Sequence, residues 1–422
     1  MNKVTQRQDG GSNLTGIAQY NERLILQHIR RSGSLPKAEI ARITRLSAQT
    51  ASVIINRLLD RKLVRKQSQR ISTGKVGQPA IPIELNPDGA FSLGVKIGRR
   101  GLDIMLVNFV GDILQSISHS YDFPDPEFVF PAIEKGLSEL KNSLSKVKQK
   151  RILGIGIAAP YSLGGWQQEE HIPPDVTTQW NIIDIKKRVQ ETQEHTVWLV
   201  NDATAACIAS LELGNPGRLN NYLYLFIGTF VGGGIIINRS FYNGSFNNAG
   251  AIGSMPLPRH YAMVPSQQDD NRPVQFINCA SRYALNDQLE ALGAETDKVL
   301  EIFATQGKDK VEPAHAEVIG DWLQSVAPAI AYAITAAISV IDFEGVIIDG
   351  LLPAALTREL TEKTEQEMQH LNLEGLNTPQ LFAGDMGNEA RALGGAFLPF
   401  YTNFSPDRSI LISSESNSFD GF

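Results

Sequence analysis

The same pattern of strands and turns occurs twice in this chain, and it restricts the fold more than any other feature. FSLGVKIGRRGLDIMLVNFVGDILQSISHSY (91–121) predicts three strands, with a hairpin-like break at 108–112. NYLYLFIGTFVGGGIIINRSFYNG (221–244) again predicts a strand on each side of a glycine-rich turn. Further strands and helices follow both segments, so we expect two related halves of mixed α/β structure.

The elements that follow complete the two halves. Amphipathic spacing predicts a helix over 127–149, and ILGIGIAAP (152–160) predicts a buried strand that ends in small residues. A strand runs into a helix within 195–214, a strand and turn follow at 339–352, and a helix closes the pattern at 392–401. Two halves of βββαβα type match the two-lobed α/β architecture of actin and hexokinase, in which ligands bind between the lobes near the carboxyl ends of strands.

Length and composition set outer limits. At 422 residues the chain is long for one core, so two or three domains are expected. No apolar run approaches the roughly 18 residues needed to cross a bilayer, and the polar N-terminus lacks the apolar part of a secretory signal. With only Cys207 and Cys279, a disulfide framework and a multi-cysteine zinc cluster are excluded. We expect a cytoplasmic protein in which 1–19 and 403–422 are flexible tails.

Charge is divided unevenly along the chain. Residues 1–89 hold 15 lysines and arginines and 6 aspartates and glutamates, a net charge of +9, whereas the remaining residues carry a net −15. A basic first fifth on an acidic body suits a polyanion bound at one end. A basic surface that is only solvated is the alternative, and charge alone does not separate the two.

Residues 20–88 predict a winged helix-turn-helix. Apolar spacing indicates three helices, at 20–33, 35–45 and 46–64. Pro36 suits a first helical turn, and Ser47 suits an N-cap. Two strands, at roughly 63–69 and 79–85, then enclose a loop shaped by Gly74, Gly77 and Pro79, which is the predicted wing. A three-helix protein-interaction domain of the same pattern is the alternative.

The third helix is the predicted DNA-reading element, because its N-terminal end would enter the major groove. Gln and Asn side chains bond to adenine edges, and Thr and Ala contact a thymine methyl group. The outward positions of this type are Ala48, Gln49, Thr50, Ser52, Val53 and Asn56, next to the cap at Ser47. Basic residues would contact phosphates and set the register without reading sequence. These are Arg42, Arg45, Arg57 and Lys75, with Arg70 beside the wing.

The combination of motifs resembles the ROK family of repressors and sugar kinases. A winged helix-turn-helix is followed by VNDATAA, IGTFVGGGIIINRSFYNGSFNNAGAIGSM and ARALGGAFLPF, and the resemblance covers roughly residues 20–400. It implies a regulatory DNA-binding domain fused to an actin-like sugar-kinase domain, assembled as a dimer or tetramer. We expect the first lobe at 89–200 and 381–402, and the second at 201–380.

The resemblance also shows departures from an active kinase. The family's Asp-x-Gly-Gly-Thr turn, which holds magnesium and phosphate, is Lys96-Ile97-Gly98-Arg99-Arg100 here. Phe230 stands at a glycine position of the second phosphate turn, and Asp349 replaces a glycine of the adenosine-side turn. Phosphoryl transfer needs a metal clamp and close backbone approach to phosphates. We therefore expect no catalysis and no cofactor.

The family's sugar site is only partly retained. Asp202 matches the general base of the kinases, and beside Asn201 it would accept a hydrogen bond from a sugar hydroxyl. The alternative is that both residues cap the following helix, and the two roles are compatible. The family's Gly-Glu-Ile-Gly-His is Gly250-Ala251-Ile252-Gly253-Ser254, so a carboxylate and an imidazole are missing. The predicted ligand-binding residues are Asn201, Asp202, Gly233, Ala251 and Ser254.

The sequence also bears on zinc binding and on replacement contacts for a ligand. The family's cysteine-rich zinc motif is absent, so we expect no zinc, with Cys279 in the core and His260 on the surface. The segment 161–180, taken as a long loop, offers aromatic and polar side chains, namely Trp166, His171, Asp175 and Trp180. Trp180 is either part of a rebuilt carbohydrate site or an anchor that packs the loop. Lys96, Arg99 and Arg100 favour an anionic ligand or are simply solvated.

The sequence therefore predicts a DNA-binding repressor of carbohydrate genes with a catalytically inactive, effector-sensing and dimerising domain. A carbohydrate in the cleft would close the lobes and change the placement of two winged helices on a two-fold DNA site. The alternatives are an active sugar kinase with an added DNA-binding domain, and a regulator controlled by a protein partner.

Overall fold

The computed structural model describes residues 14–68, 80–160, 163, 173–263 and 272–407. The chain divides into two compact units. Unit one is Met1–Asn201 with Gly395–Phe422, and unit two is Asp202–Gly394. Among the residues described, no helix is long and apolar enough to span a lipid bilayer.

Three helices and a small antiparallel sheet form the described part of the N-terminal domain. The helices are α1 (Leu14–Ser32), α2 (Lys37–Thr44) and α3 (Ala48–Asp60). The strands β1 (Ser34–Leu35), β2 (Val64–Lys66) and β3 (Ile83–Leu85) pair in the order β1-β3-β2. The apolar stripes of the helices face inward and bury Ile25, Ile29, Ile40, Ile55 and Leu58. The predicted helix-turn-helix and ribbon are present, with β1 as an additional strand.

The element ends of this domain differ from the sequence prediction. α1 begins at Leu14, so 14–19 are helical and not part of a flexible tail. α2 begins only after Pro36, because Ser34 and Leu35 pair with β3. α3 ends at Asp60, and Lys62 then takes a left-handed conformation (φ 59°) that turns the chain into β2. The wing residues Arg70, Gly74, Lys75, Gly77 and Pro79 lie outside the described residues.

A five-stranded mixed sheet is the centre of the described part of unit one. The strands are β4 (Phe91–Ile97), β5 (Gly101–Asn108), β6 (Ile113–Ser120), β7 (Ile152–Ala159) and β8 (Val197–Asn201). Their order is β6-β5-β4-β7-β8, with β4, β7 and β8 parallel to one another. The helices are α4 (Pro126–Ser143), α5 (Lys146–Gln149), α6 (Pro174–Ile182) and α7 (Ile185–Gln190). α4 buries Val129, Ile133 and Leu137 in the same apolar core as β4, β5 and β7.

Unit two is built on a second mixed sheet, in the order β11-β10-β9-β14-β15 among the described strands. From α8 onward the strands are β9 (Tyr222–Ile227), β10 (Val231–Ile237), β11 (Ser240–Phe241), β12 (Pro256–Leu257), β13 (Val274–Gln275), β14 (Gly345–Gly350) and β15 (Gln380–Ala383). The helices are α8 (Asp202–Leu213), α9 (Arg282–Ala291), α10 (Thr296–Gln306), α11 (Pro313–Ile338), α12 (Ala354–Met368) and α13 (Ala390–Phe404), the last of which continues into unit one from Gly395. α11 is buried along much of its length, with Trp322 and Ile330 in the core.

Two predictions for the body need correction, whereas the strand expected within 339–352 is present as β14. The predicted helix 127–149 is interrupted at Leu144, since Ser145 caps the separate helix α5. The segment 161–180 is not a loop throughout, because α6 includes Asp175 and Trp180.

The N-terminal domain is attached to the rest of unit one through α1. Arg30 Nη1 donates to the Phe109 carbonyl at 2.9 Å, and its guanidinium lies 5.1 Å from the Phe109 ring and 5.3 Å from the Phe397 ring. Arg23 Nη1 donates to the Ser405 carbonyl at 3.2 Å, and burial lowers the pKa of Arg23. Hydrogen bonds and cation–π contacts therefore join α1 to the β5–β6 turn and to the end of α13.

Candidate functional site

The start of α3 is held by its own cap. The Thr50 N–H donates to Ser47 Oγ at 3.0 Å, and the two hydroxyl oxygens are 2.8 Å apart. The N-cap prediction at Ser47 is confirmed. Because Ser47 and Thr50 bond to each other, part of their hydrogen-bonding capacity supports the helix.

The outward face of α3 is polar and exposed. Gln49, Thr50, Asn56 and Arg57 are exposed, whereas Ser52 is half-buried. Ala48 is exposed, and Val53 exposes 54% of its surface in the middle of this face. The opposite stripe, Ala51, Ile54, Ile55 and Leu58, is buried. α3 thus presents hydrogen-bonding and apolar groups side by side, the combination that major-groove reading uses.

Two contacts on this surface were not anticipated from the sequence. Lys37 Nζ donates to Asn56 Oδ1 at 2.8 Å, which fixes the orientation of the amide because an ammonium has no acceptor. The amide oxygen of Asn56 is therefore engaged, and its NH₂ group is the part that faces away from Lys37. Arg42 Nε donates to Glu39 Oε2 at 2.8 Å, so Arg42 already has an anionic partner one turn away. The one-turn spacing of Glu39 and Arg42 could have indicated their contact from the sequence. No such spacing links Lys37 to Asn56.

The turn between α2 and α3 depends on a residue with positive φ. Arg45 closes α2 with φ 56° and ψ 26°, and the Leu46 N–H donates to the Ala41 carbonyl at 3.1 Å. Glycine is the usual residue at such a position, since a Cβ is unfavourable there. An exposed arginine in a strained turn leaves a positive charge at the entrance to α3.

Asp202 stands at the first position of α8 and uses both carboxylate oxygens. Oδ1 accepts from the Ala203 N–H at 2.9 Å, and Oδ2 lies 3.4 Å from Arg391 Nη1. The bond to Ala203 joins adjacent residues at the start of α8, so the capping role that the sequence offered as an alternative stays a prediction. Asn201 is the last residue of β8 and belongs to unit one, where it is paired with Ala159.

Gly233, Ala251 and Ser254 lie together in unit two. A Cβ at Gly233 would be 2.5 Å from the Tyr224 carbonyl oxygen and 2.9 Å from Ile252 Cγ2, so only glycine fits between β10 and the turn that carries Ile252. That turn is a short 3₁₀ helix in which the Ser254 N–H donates to the Ala251 carbonyl at 3.0 Å. Ala251 and Ser254 are exposed. α8 approaches the same strand at Gly232, where a Cβ would be 2.5 Å from Ala203 Cβ.

The first kinase-like turn contains an internal ion pair. Lys96 and Asp103 are directly opposite on β4 and β5, and Lys96 Nζ donates to Asp103 Oδ2 at 2.8 Å. Ser118 Oγ donates to Asp103 Oδ1 at 2.7 Å. A Cβ at Gly98 would be 3.2 Å from Lys96 Nζ, so the ammonium group lies over the turn. A cation now lies where the family's turn carries a carboxylate.

The other two turns are occupied by side chains as well. Phe230 stacks on Tyr283 of α9, with ring centroids 6.5 Å apart and planes at 15°. Asp349 is 2% exposed and accepts from Tyr224 Oη at 3.1 Å and from the Gly350 and Gly387 N–H groups at 2.8 and 3.0 Å. Burial raises the pKa of Asp349 despite these three donors.

Cys279, His260 and Trp180, which the sequence offered as candidate ligand or metal contacts, pack against other parts of the protein. Cys279 is fully buried, as predicted, and the His260 ring lies 4.2 Å from the Tyr261 ring. Within the described ranges no cluster of three or more His, Cys, Asp and Glu side chains has the geometry of a metal site. Trp180 is 6% exposed and its indole N–H donates to the Pro124 carbonyl at 2.6 Å, which makes it a packing anchor. Asp175 is exposed at the start of α6, and Trp166 and His171 lie outside the described residues.

A family model agrees with this geometry. The model described as the ROK family matches residues 92–400. The chain belongs to the ROK family. A second model, the MarR family, matches residues 13–70, the part of this ROK protein that forms the helix-turn-helix. The family and the fold class expected from the sequence are thus confirmed.

Individual ROK relatives are distant in sequence. The chain is 24% identical over 389 residues to a protein named xylose repressor from Bacillus spizizenii, covering 90% of this chain and 94% of the relative. A crystal structure of a ROK family transcriptional regulator, a homologue of the E. coli MLC protein, superposes with a TM-score of 0.63 at 18% identity, covering 94% of this chain and 99% of that one. The crystal structure of the ROK hexokinase from Thermus thermophilus superposes with a TM-score of 0.52 at 19% identity, covering 73% of this chain and 97% of that one. The likeness to these structures shows the fold alone.

Proposed function

We propose that this ROK protein is a sequence-specific DNA-binding regulator that represses carbohydrate genes and responds to a carbohydrate effector. The observation that carries the proposal is the exposed polar face of α3, capped at Ser47 and bordered by arginines. A body that needed only to phosphorylate a sugar would have no use for such a face. The name of the B. spizizenii relative, xylose repressor, points in the same direction.

In this proposal the residues of α3 divide by role. Gln49, Thr50 and Ser52 contact base edges, and Asn56 offers its NH₂ group because Lys37 engages its oxygen. Arg45, Arg57 and Lys75 contact phosphates. Arg42 contributes only after it leaves Glu39. A homodimer would place two such helices on a two-fold DNA site, in the cytoplasm where the chromosome lies.

The body senses and does not catalyse. Asp202, Gly233, Ala251 and Ser254 of unit two form the proposed effector site, in which Asp202 accepts hydrogen bonds from hydroxyl groups. A contact of Asn201 with the effector stays a prediction from the sequence. The Lys96–Asp103 pair, the Phe230–Tyr283 stack and the buried Asp349 oppose binding of magnesium and nucleotide phosphates at the three turns. No protein partner or cofactor is required in this mechanism.

DNA binding is tested by fluorescence anisotropy with DNA from upstream of the protein's own gene, in a series of salt concentrations. Log affinity should fall linearly with log salt, with a slope of about −0.9 per phosphate contact. Gln49→Ala should weaken the specific complex by about 1–3 kcal/mol and leave unrelated DNA unaffected. Arg57→Ala should weaken both and reduce the slope by about 1. Lys146→Ala, which removes an exposed charge from α5, is the control. Salt-independent binding, or equal loss for Gln49→Ala on both DNAs, contradicts the proposal.

Effector sensing is tested by thermal shift with sugars, sugar acids and sugar phosphates. A shift that disappears in Asp202→Ala supports the site, whereas an unchanged shift removes it. Magnesium-dependent phosphorylation of any of these sugars by ATP would establish the kinase alternative. Loss of DNA binding on adding a purified cellular protein, with no response to any sugar, would favour the partner-controlled alternative.

A further inference from the structure

Arg391 contacts Asp202, a residue of the proposed effector site. It lies in the first turn of α13, with its guanidinium 5.3 Å from the Phe226 ring. Its side chain is 13% exposed and that of Asp202 is 22% exposed. A mostly buried cation therefore stands beside the carboxylate that the proposed effector site depends on.

The hydrogen bonding of Arg391 is incomplete. Charge-assisted N–H···O bonds usually measure about 2.7–2.9 Å, so the 3.4 Å contact with Asp202 is long. Its Nε is buried and has no hydrogen-bond partner among the described residues. Buried donors are nearly always satisfied in native proteins, by protein atoms, water or a ligand. Arg391 therefore has hydrogen-bonding capacity that the described protein atoms leave unused.

The charges of the pair indicate the class of ligand. Asp202 is an acceptor and Arg391 is a donor, and together they have no net charge. A sugar hydroxyl can donate to Asp202 while a neighbouring hydroxyl oxygen accepts from Arg391. An anionic group would meet the carboxylate of Asp202 as well as the guanidinium, so an acid gains little over a neutral sugar.

We propose that Arg391 is an effector-binding residue, and that with Asp202 it binds two neighbouring hydroxyls of a neutral carbohydrate. This inference rests on the proposed function, because it names a further residue of the same site. It also decides against the anionic ligand that Lys96, Arg99 and Arg100 suggested from the sequence, since Lys96 is already paired with Asp103.

The test measures binding of D-xylose, D-glucose, N-acetyl-D-glucosamine and D-glucuronate by thermal shift and calorimetry. At least one neutral sugar should bind the full-length protein more tightly than glucuronate. Arg391→Met should weaken that sugar at least tenfold, and Arg391→Lys should weaken it less. Arg358→Met, at an exposed position of α12, should change nothing. DNA affinity without sugar reports whether each variant is folded.

The outcomes separate the inference from the proposed function. If the unmodified protein binds none of the four compounds, the effector site itself is contradicted. If it binds a neutral sugar and both Arg391 variants bind it equally well, only the role of Arg391 is overturned. Preference for glucuronate overturns the assignment of a neutral ligand.

A second inference rests on a different observation, the position of Arg30 at the far end of α13. Phe397 and Phe400 on α13 pack edge to face at 5.3 Å, and Phe109 contacts Phe400 and Phe404 at 5.6 and 4.9 Å. Arg30 of the DNA-binding domain lies over this cluster. α13 begins in unit two and ends in unit one, so a single helix carries Arg391 and the cluster residues Phe397, Phe400 and Phe404.

The middle of α13 is weak as a helix. Gly394 and Gly395 are poor helix formers, and Pro399 has no N–H to donate to the Gly395 carbonyl. Packing holds this stretch in place, since a Cβ at Gly394 would be 1.8 Å from the Ala205 carbonyl oxygen of α8. We infer that α13 transmits effector binding to the DNA-binding domain through the contact of Arg30 with Phe109 and Phe397.

An uncoupling experiment tests this inference. Arg30→Met and Arg30→Lys should bind D-xylose, or whichever of the four compounds binds best, with unchanged affinity. The sugar-induced change in DNA affinity should fall at least threefold in Arg30→Met and less in Arg30→Lys, whereas Lys135→Met, at an exposed position of α4, should retain it. A full DNA response in both Arg30 variants overturns the inference, as does a loss of sugar binding. A DNA affinity that no sugar changes in the unmodified protein contradicts the proposed function instead.

Discussion

The outward face of α3 and the three kinase-like turns of the body use polar residues in opposite ways. On α3, Gln49 and Arg57 extend into solvent from a helix whose cap is satisfied internally. In the body, Lys96 is paired with Asp103, and Asp349 is surrounded by three donors. The outward face of α3 is available to an external partner. At the three turns, Lys96, Phe230 and Asp349 are already in contact with other groups of the protein.

The difference bears on stability. A turn shaped to hold magnesium or phosphate leaves backbone donors and charges unsatisfied when no ligand is bound. Here an ammonium, a stacked aromatic pair and a carboxylate fill these positions. Each turn is thus stabilised by contacts within its own unit, while α3 keeps exposed groups.

The largest expected effect concerns Asp349, the most buried of the replacements. Asp349→Ala leaves Tyr224 Oη and two backbone N–H groups without their acceptor, and should reduce the free energy of unfolding by about 2–4 kcal/mol in urea denaturation. Asp349→Asn keeps an oxygen for both N–H groups and should cost about 1 kcal/mol or less. Equal losses for the two variants would show that these bonds do not hold the turn.

The pH dependence of Asp349 sharpens the same prediction. Its pKa is raised above 3.8 in the folded protein, so the native state binds the proton more tightly than the unfolded state. The stability it adds is fully present below pH 3.8 and is lost as the pH rises through the folded pKa. The Asp349→Asn side chain stays neutral. The free energy of unfolding of this variant should therefore rise relative to that of the unmodified protein as the pH increases from 3.8 toward 7.

Removing the cation from the first turn should have a smaller effect. Lys96→Met removes the ammonium group from Asp103, which keeps the hydrogen bond from Ser118 on β6. The change should lower the free energy of unfolding by about 1–2 kcal/mol, since Asp103 is 31% exposed and water replaces part of the interaction. Lys141→Met, whose partner Glu194 is 88% exposed, should cost about 0.5 kcal/mol or less. A similar loss in both variants would contradict a special role for the Lys96 pair.

A substitution in the turn before α3 should raise the free energy of unfolding. Arg45→Gly removes a Cβ from a left-handed position and should stabilise the fold by about 0.5–1 kcal/mol, while it removes one phosphate contact and reduces the salt slope of DNA binding by about 1. Arg45→Ala removes the same charge but keeps the Cβ, so it should lose DNA affinity without gaining stability. A gain in melting temperature for the alanine variant would exclude backbone strain as the cause.

The smallest effect is expected at Glu344, an exposed carboxylate that accepts from the Asn220 N–H and from the side chains of Asn220 and Asn221. These donors lower its pKa below 4.5, so its contribution is present at neutral pH and is lost as the pH falls through the folded pKa. Glu344→Gln should be slightly less stable at pH 7 and equal to the unmodified protein well below pH 4. A difference that persists in acid would point to packing in place of charge.

Short-range patterns in the sequence predicted much of the fold. The alternation of apolar runs and turn residues placed β4 to β7 and the strand–helix junction at Asp202, and the Ser47 cap located α3. The helix 127–149 was predicted as one piece, because its apolar spacing continues past Leu144 while the competing cap at Ser145 is a weaker signal. β1 could not be predicted, since a two-residue strand is defined only by its partner β3.

The sequence by itself determined that a basic helix-turn-helix precedes a ROK body and that Lys96, Phe230 and Asp349 interrupt its kinase turns, because residue identity and spacing are local properties. Tertiary structure alone decided that Lys96 meets Asp103, that Lys37 orients Asn56, and that Arg391 stands beside Asp202. Arg391 and Asp202 are far apart in the chain, and no periodicity links them. Their contact arises where α13 packs on α8, since a Cβ at Gly394 would be 1.8 Å from the Ala205 carbonyl oxygen and only glycine permits that approach.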